Sequence, residues 1–514
     1  MSECEVIICE KDGKEIGLTA PAGALFLQLL KGNGYPLVCC NGKGGCGRCR
    51  LRFPDGDAPL PAPADRNALT AQELREGVRL ACVHRVKKNC RIQVEFVHPR
   101  QVEAVTGFAE TAVRPVVYGE RASFLPEQNG CLTARKNDRL LSEPEKYVLA
   151  LDMGTTTIAA EAVSLSSLQC ADNGAVVLAQ VGRMNPQRAW GSDVISRIEA
   201  AGRGEGEALR RAGEEAVVSL IMEIIEKAGR LPEKICLAGN TTMEHLLLGL
   251  DASGLGQYPF HPVSLSEQHM TLSLPFPAPS SPSVCGICLL PGISAFVGAD
   301  ILAGLLACGF ADPVDDSCRL FIDLGTNGEM AIQKGGRLIC TATAAGPAFE
   351  GGASANLPGT DMVALLARLL RENKIDHSGL LCEELFEAGW QEGKLRVTQN
   401  DIRSLQTAKA AVRAGVEILM RRLEVSCGDV QEVYLAGGFG LFLDVRSAAE
   451  IGLFPPALAG KVRAVGNTSL AGAALYGGRP GYPALAKELL ARAEVINLAE
   501  ESGFYEKYLE NMEF

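Results

Sequence analysis

Tyr147-Val148-Leu149-Ala150-Leu151-Asp152-Met153-Gly154-Thr155 and Arg319-Leu320-Phe321-Ile322-Asp323-Leu324-Gly325-Thr326 are one phrase written twice: an apolar run of strand length, then Asp-x-Gly-Thr, then a second apolar run. A further echo follows in each half, Ile235-Cys236-Leu237-Ala238-Gly239-Asn240 against Val433-Tyr434-Leu435-Ala436-Gly437-Gly438. Ordered self-similarity within one chain predicts a duplicated unit. Shortly upstream of each later echo, residues 208–229 and 401–424 mix apolar and charged side chains at helical spacing. The shared order of strand, turn, strand, helix, strand and glycine turn predicts two related α/β subdomains facing each other across a cleft, assigned to residues 147–310 and 311–514.

The turns carry the chemistry. Gly154, Thr155, Thr156 and Thr157 follow a strand, so their amides and hydroxyls are placed to hydrogen-bond phosphate oxygens, and Gly325, Thr326 and Asn327 offer the same groups from the other half. Two such turns converging on a cleft would clamp the β- and γ-phosphates of ATP. Asp152 and Asp323 would then be the catalytic pair beside Mg²⁺, acting through waters as magnesium prefers. Gly437, Gly438 and Phe439 would bring backbone close to the adenosine, while Gly239, Asn240 and Thr241 would cap a helix at the cleft. Each motif alone is weak, since Asp-x-Gly-Thr occurs by chance and Gly-Gly often only ends a strand. No Gly-x4-Gly-Lys-Ser/Thr phrase competes. In repeated order the motifs resemble the superfamily of acetate and sugar kinases, heat-shock-70 chaperones and actin, which implies a duplicated ribonuclease-H-like fold. The phrases 346–351 and 466–470 read as turn chemistry, and His245 reads as structural.

Ahead of the repeat, residues 1–97 have short apolar runs around a glycine- and cysteine-rich loop, the pattern of a small β-rich domain. Cys40-x5-Cys46-x2-Cys49 with the distant Cys82 supplies the four thiolates that a [2Fe–2S] cluster requires, three from one loop and one from elsewhere. Zinc is the closest rival, but its structural sites usually draw on two short Cys-x2-Cys pairs, and only one exists in this region. The x5 spacing resembles the adrenodoxin type of [2Fe–2S] ferredoxin, which implies a β-grasp fold. Cys285-Gly286-Ile287-Cys288 has no partner pair nearby in sequence, and it reads as buried small hydrophobes. Residues 98–146, without lasting periodicity, read as a linker.

Composition narrows the function classes. The chain has 514 residues, 47% hydrophobic and 22% charged, which predicts several packed domains rather than disorder. A net charge of −11 argues against nucleic acid as a partner. The start, Met1-Ser2-Glu3-Cys4-Glu5, does not resemble a secretory signal, and the apolar stretch 294–310 is interrupted by Asp300. A cytoplasmic protein with no membrane span is expected, its eighteen cysteines reduced or bound to metal.

Taken whole, the chain resembles the ATP-dependent reductive activators of corrinoid proteins. The resemblance rests on the ferredoxin loop from Cys40 to Cys82, residues 152–157, 191–198, 239–243, 323–329, 346–351 and 435–440. It implies a [2Fe–2S] cluster, ATP and Mg²⁺ as cofactors, an external low-potential electron donor, and a corrinoid protein of a methyltransferase system as partner. In such a system the activator returns Co(II) to Co(I) with one electron. Larger members carry an extra domain where this chain has only the 98–146 linker; a homodimer is compatible with either arrangement. Two other readings of the same residues stand beside this one: a small-molecule kinase of the actin-like superfamily with an appended ferredoxin, and a nucleotide-sensing electron carrier.

Overall fold

The computed structural model describes residues 3–9, 15–33, 49–69, 71–94, 145–169, 175–275, 283–312, 316–325, 327–349, 359–393 and 395–514. They fall into two compact units. One comprises Met1–Val102, Met184–Gly213 and His245–His261, and the other Glu103–Arg183, Glu214–Glu244 and Pro262–Phe514.

The first unit contains a five-stranded sheet of β1 (Glu3–Cys9), β2 (Glu15–Pro21), β3 (Arg50–Arg52), β4 (Val78–Leu80) and β5 (Cys90–Val94), in the order β2-β1-β5-β3-β4. β1 runs antiparallel to β2 and parallel to β5, the mixed arrangement of a β-grasp domain. Along β1 the side chains of Cys4, Val6 and Ile8 alternate inward, as the period of two requires. They meet Phe26, Leu27 and Leu30 of the helix Phe26–Gly32 in one core.

The second unit holds two six-stranded sheets. The first has β6 (Tyr147–Met153), β7 (Thr157–Ser164), β8 (Val177–Met184), β9 (Lys234–Gly239), β10 (Gln268–Leu274) and β11 (Ser283–Leu289), ordered β10-β11-β9-β6-β7-β8. The second has β12 (Cys318–Leu324), β13 (Gly328–Lys334) and β14 (Arg337–Thr343). After a separate hairpin of β15 (Trp390–Glu392) and β16 (Leu395–Val397) come its β17 (Val430–Ala436), β18 (Val462–Gly466) and β19 (Ala493–Val495). Its order is β18-β17-β12-β13-β14-β19. In both, the first strand pairs antiparallel with the second and parallel with the strand that ends in the glycine turn. β6 and β12, buried on nearly every residue, read as unbroken apolar runs because both faces are covered. The helices predicted at 208–229 and 401–424 form at Gly206–Ala228 and Gln399–Arg422. The second is closed at its start by reciprocal bonds between Thr398 and Asp401.

Two further helices join the sheets. Ala299–Ala307 and Thr468–Gly478 are apolar or small all round, and each is almost wholly buried. Gly304 of the former lies against Phe321 of β12, while Gly477 of the latter lies against Cys236 of β9 and Val148 of β6. Each half thus lends a helix to the sheet of the other. The two helices touch at Gly472, where any side chain would run into the backbone carbonyl of Ala303.

Candidate functional site

The duplication seen in sequence becomes a coincidence of register. Asp152 on β6 lies opposite Ala238 of β9, and Asp323 on β12 lies opposite Ala436 of β17. Both aspartates therefore stand at the same end of their sheets, just before the predicted phosphate turns. Those turns are tight: the Gly154 amide donates to the Thr157 carbonyl at 3.0 Å and the Gly325 amide to the Asn327 carbonyl at 2.9 Å. Thr326 lies outside the described residues.

Asp152 is held from the other half of the repeat. Asn467 donates its side-chain amide to one carboxylate oxygen at 2.8 Å, and the Ser469 hydroxyl donates to the other at 2.9 Å. Asn467 also caps the helix Thr468–Gly478 by accepting from the Leu470 amide at 3.0 Å. The phrase 466–470 is therefore more than a turn: it docks the start of a crossing helix onto the candidate catalytic aspartate. Burial raises the Asp152 carboxyl above the usual range, and the bonds from Asn467 and Ser469 oppose that rise.

Three further carboxylates join this pair. Asp300 opens the helix Ala299–Ala307, Glu329 faces Asp323 across β12 and β13, and Glu244 is buried in the helix Thr241–Leu248. Burial pushes Asp323 up to about 8, with repulsion from Asp300 and then Asp152 adding to it. Asp300 is raised by burial and by Asp152; Glu329 and Glu244 are driven well above the usual range by burial and then by Asp300. Buried acids from both halves thus lie near enough to raise one another's carboxyls. In the sequence Asp300 only interrupts an apolar stretch. An acid opening a helix otherwise made of small and apolar residues was the signal that marked it.

The other predicted positions divide. Gly239 ends β9 against the Met153 carbonyl, where a Cβ would sit 3.0 Å away. Asn240 accepts from the Thr242 amide at 3.0 Å, and the Thr241 hydroxyl donates to the Ser294 carbonyl at 2.8 Å, so both fix the start of the helix Thr241–Leu248. Thr155 is buried in the first turn, Thr156 follows it, and Thr157 opens β7. Gly437, at φ 84°, brings β17 into the helix Gly437–Phe442, which also contains Gly438. A Cβ there would stand 2.6 Å from an Asp323 oxygen. The Phe439 ring packs on Phe349 at 4.8 Å between centroids, within the apolar core.

In the first unit, Cys49 immediately precedes β3 and Cys82 closely follows β4. The register of Arg50 with Leu80, and a bond from the Ala81 amide to the Cys49 carbonyl at 2.7 Å, put them at one end of that hairpin. Buried Asp65 braces it: it accepts from the Leu80 amide at 2.9 Å and the Ala62 amide at 2.7 Å, and meets the His84 ring at 2.5 Å. Two thiols from separate segments at one sheet end fit a cluster whose ligands come from a loop and a distant strand end. Cys40 and Cys46 lie outside the described residues.

The 2Fe-2S iron-sulfur cluster binding domain family matches residues 9–87. The RACo middle region matches 147–312, and the C-terminal domain of RACo, the ASKHA domain, matches 317–356 and 355–514. The chain is 30% identical over 438 residues to the corrinoid activation enzyme RamQ of Eubacterium limosum, covering 73% of this chain and 71% of that one. It is 26% identical over 242 residues to the [Co(II) methylated amine-specific corrinoid protein] reductase of Methanosarcina barkeri, 37% of this chain and 44% of that relative. A solved reductive activator for corrinoid, iron-sulfur protein shares the fold at a TM-score of 0.61 and 24% identity, over 99% of this chain and 98% of the other. With an iron–sulfur domain ahead of a duplicated actin-like region along nearly its whole length, the chain belongs to the family of corrinoid-activating proteins.

Proposed function

We propose that this chain is an ATP-dependent reductive activator that delivers one low-potential electron to a Co(II) corrinoid protein of a methyltransferase system, restoring Co(I). Cys40, Cys46, Cys49 and Cys82 of the ferredoxin-like domain, residues 1–97, would hold the [2Fe–2S] cluster. When bound, the cluster supplies a one-electron carrier, recharged by an external low-potential donor. Residues 98–146 link it to the two nucleotide-binding subdomains, 147–310 and 311–514. The protein would work in the cytoplasm, where low-potential chemistry and reduced thiols coexist, and the reading accommodates a homodimer.

The observation that carries this reading is the acidic cluster shared between the two halves. Burial raises the carboxyls of Asp152, Asp300, Asp323, Glu244 and Glu329, and for all but Asp152 a neighbouring acid adds to the rise. Mg²⁺ with a triphosphate would relieve that repulsion, and because the acids come from both halves it would draw them together. Gly154 to Thr157 and Gly325 to Asn327 would take the phosphates, and Gly437 to Phe439 would border the adenosine. Asp300, charge-coupled to both Asp152 and Asp323, is the acid we assign to orienting the attacking water. A ferredoxin cluster of the plant type lies near about −400 mV, and each further ~100 mV that an electron climbs costs roughly 2.3 kcal/mol. Closure around nucleotide followed by hydrolysis can supply that by shifting the population between two domain arrangements, one of which the corrinoid partner favours.

The kinase reading differs in where the phosphoryl group goes. Adding the Co(II) corrinoid protein should accelerate release of inorganic phosphate in the presence of Mg²⁺, with no phosphorylated small molecule formed. Stoichiometric transfer of the γ-phosphate to a sugar or carboxylic acid would instead establish a kinase.

A further inference from the structure

Cys285 and Cys288 are three residues apart on β11, so the pleat sends them to opposite faces, and Cys288 finds its neighbours on the adjoining strands instead. On one side it pairs with His269 of β10, directly opposite in the antiparallel register. On the other it pairs with Cys236 of β9 in the parallel register. Glu267, two residues before His269, completes the group. Its carboxylate oxygen Oε1 lies 3.1 Å from His269 Nε2. The other oxygen accepts a hydrogen bond from the buried hydroxyl of Tyr476, on the helix Thr468–Gly478.

The atoms converge. One ligand atom from each of Glu267, His269 and Cys288 lies within 4.8 Å of the others. The Tyr476 bond leaves Glu267 with one oxygen turned toward the imidazole, the role an outer partner plays in orienting a metal ligand. A mixed oxygen, nitrogen and sulfur set suits zinc, whereas magnesium and calcium prefer oxygen alone. Cys236, buried, stands opposite Cys288 on the neighbouring strand β9.

We propose that Glu267, His269 and Cys288 form a binding site for a thiophilic divalent cation of the zinc type, built from none of the four cluster cysteines and none of the five buried acids. The site staples the edge strand β10 to β11 on the face that also carries Cys236. Its occupation does not depend on the activator reading.

The test uses the full chain with its iron–sulfur cluster loaded under anaerobic conditions. After incubation with Zn²⁺ and desalting, zinc and iron are counted by mass spectrometry in the wild type and in His269→Ala, Cys288→Ser and Glu267→Gln. His269 is 71% exposed, so its removal leaves the core undisturbed. The wild type should retain about one zinc per chain with sulfur in its X-ray absorption shell at roughly 2.3 Å. His269→Ala and Cys288→Ser should each lose at least tenfold in zinc at unchanged iron content and unchanged thermal melting of the zinc-free protein. Wild-type protein that retains no zinc would overturn the proposal. So would zinc that persists in both variants, or that rises only as iron falls and so occupies the cluster loop.

Discussion

Asn467 and Asp152, 315 residues apart in sequence, are joined by a 2.8 Å hydrogen bond that ties the start of a helix in the second half of the repeat to the first strand of the first half. Ser469 adds a second donor from the same helix start. The candidate catalytic aspartate is therefore oriented by the opposite half, and any movement between the halves is transmitted to it.

Removing these donors is expected to slow turnover without unfolding the protein. A hydrogen bond to a charged group contributes about 1.5–3 kcal/mol, so Asn467→Ala or Ser469→Ala should cut ATP hydrolysis roughly ten- to hundredfold. Steady-state phosphate release checks this, with far-ultraviolet circular dichroism confirming the fold.

Gly437→Ala should be as damaging as loss of a catalytic group. Its φ of 84° strains any L side chain, and the new methyl would sit 2.6 Å from an Asp323 oxygen and 3.0 Å from the Leu324 carbonyl. Calorimetric titration with Mg-ATP should show at least a tenfold weaker affinity, with the visible iron–sulfur spectrum preserved.

The contact between the two crossing helices predicts a stability effect instead. Gly472→Ala would press a methyl into the Ala303 backbone, and overpacking of this kind typically costs about 1–3 kcal/mol. Thermal melting should fall by several degrees, and nucleotide-induced stabilisation should shrink because the same helix carries Ser469.

The chemistry of the two modules should separate cleanly. Cys82→Ser is expected to abolish the visible iron–sulfur bands while basal ATP binding survives. Asp323→Ala is expected to stop ATP turnover and leave those bands intact. Absorbance and phosphate release on the two variants check both halves of the statement.

Glu161 predicts a pH effect distant from catalysis. It is fully buried on β7, both its carboxylate oxygens lack a hydrogen-bond partner among the described residues, and burial raises it from 4.5 to about 7. The folded protein thus keeps a proton that the unfolded chain gives up. Its full contribution is present below about pH 4.5, and stability falls as pH rises through about 7, by roughly 3 kcal/mol in all. Glu161→Gln should flatten the decline of melting temperature between pH 5 and 8.

How much of this was legible beforehand depended on periodicity and spacing. The duplicated Asp-x-Gly-Thr phrase exposed the paired sheets because strand, turn and strand are local in sequence, and both aspartates emerged at equivalent register positions. Asp300, Asn467 and Ser469 are harder to find. Their significance comes from two helices crossing between sheets, a non-local event that leaves only a run of small residues in the sequence. Phe439 and Thr241 make side-chain contacts that their sequence neighbours do not announce, with Phe349 and with the Ser294 carbonyl. Cys285 and Cys288 read in sequence as buried small hydrophobes, yet both are only half-buried, strand alternation separates them, and pairing between strands sets Cys288 beside His269.

The central claim is that nucleotide drives an electron onto cobalt. The most direct measurement mixes the reduced protein anaerobically with a Co(II) corrinoid protein and follows cobalt absorbance with and without Mg-ATP. The account predicts Co(I) only with Mg-ATP, and none with Asp323→Ala. Equal Co(I) in the absence of nucleotide, or none with nucleotide across several corrinoid partners, would contradict it.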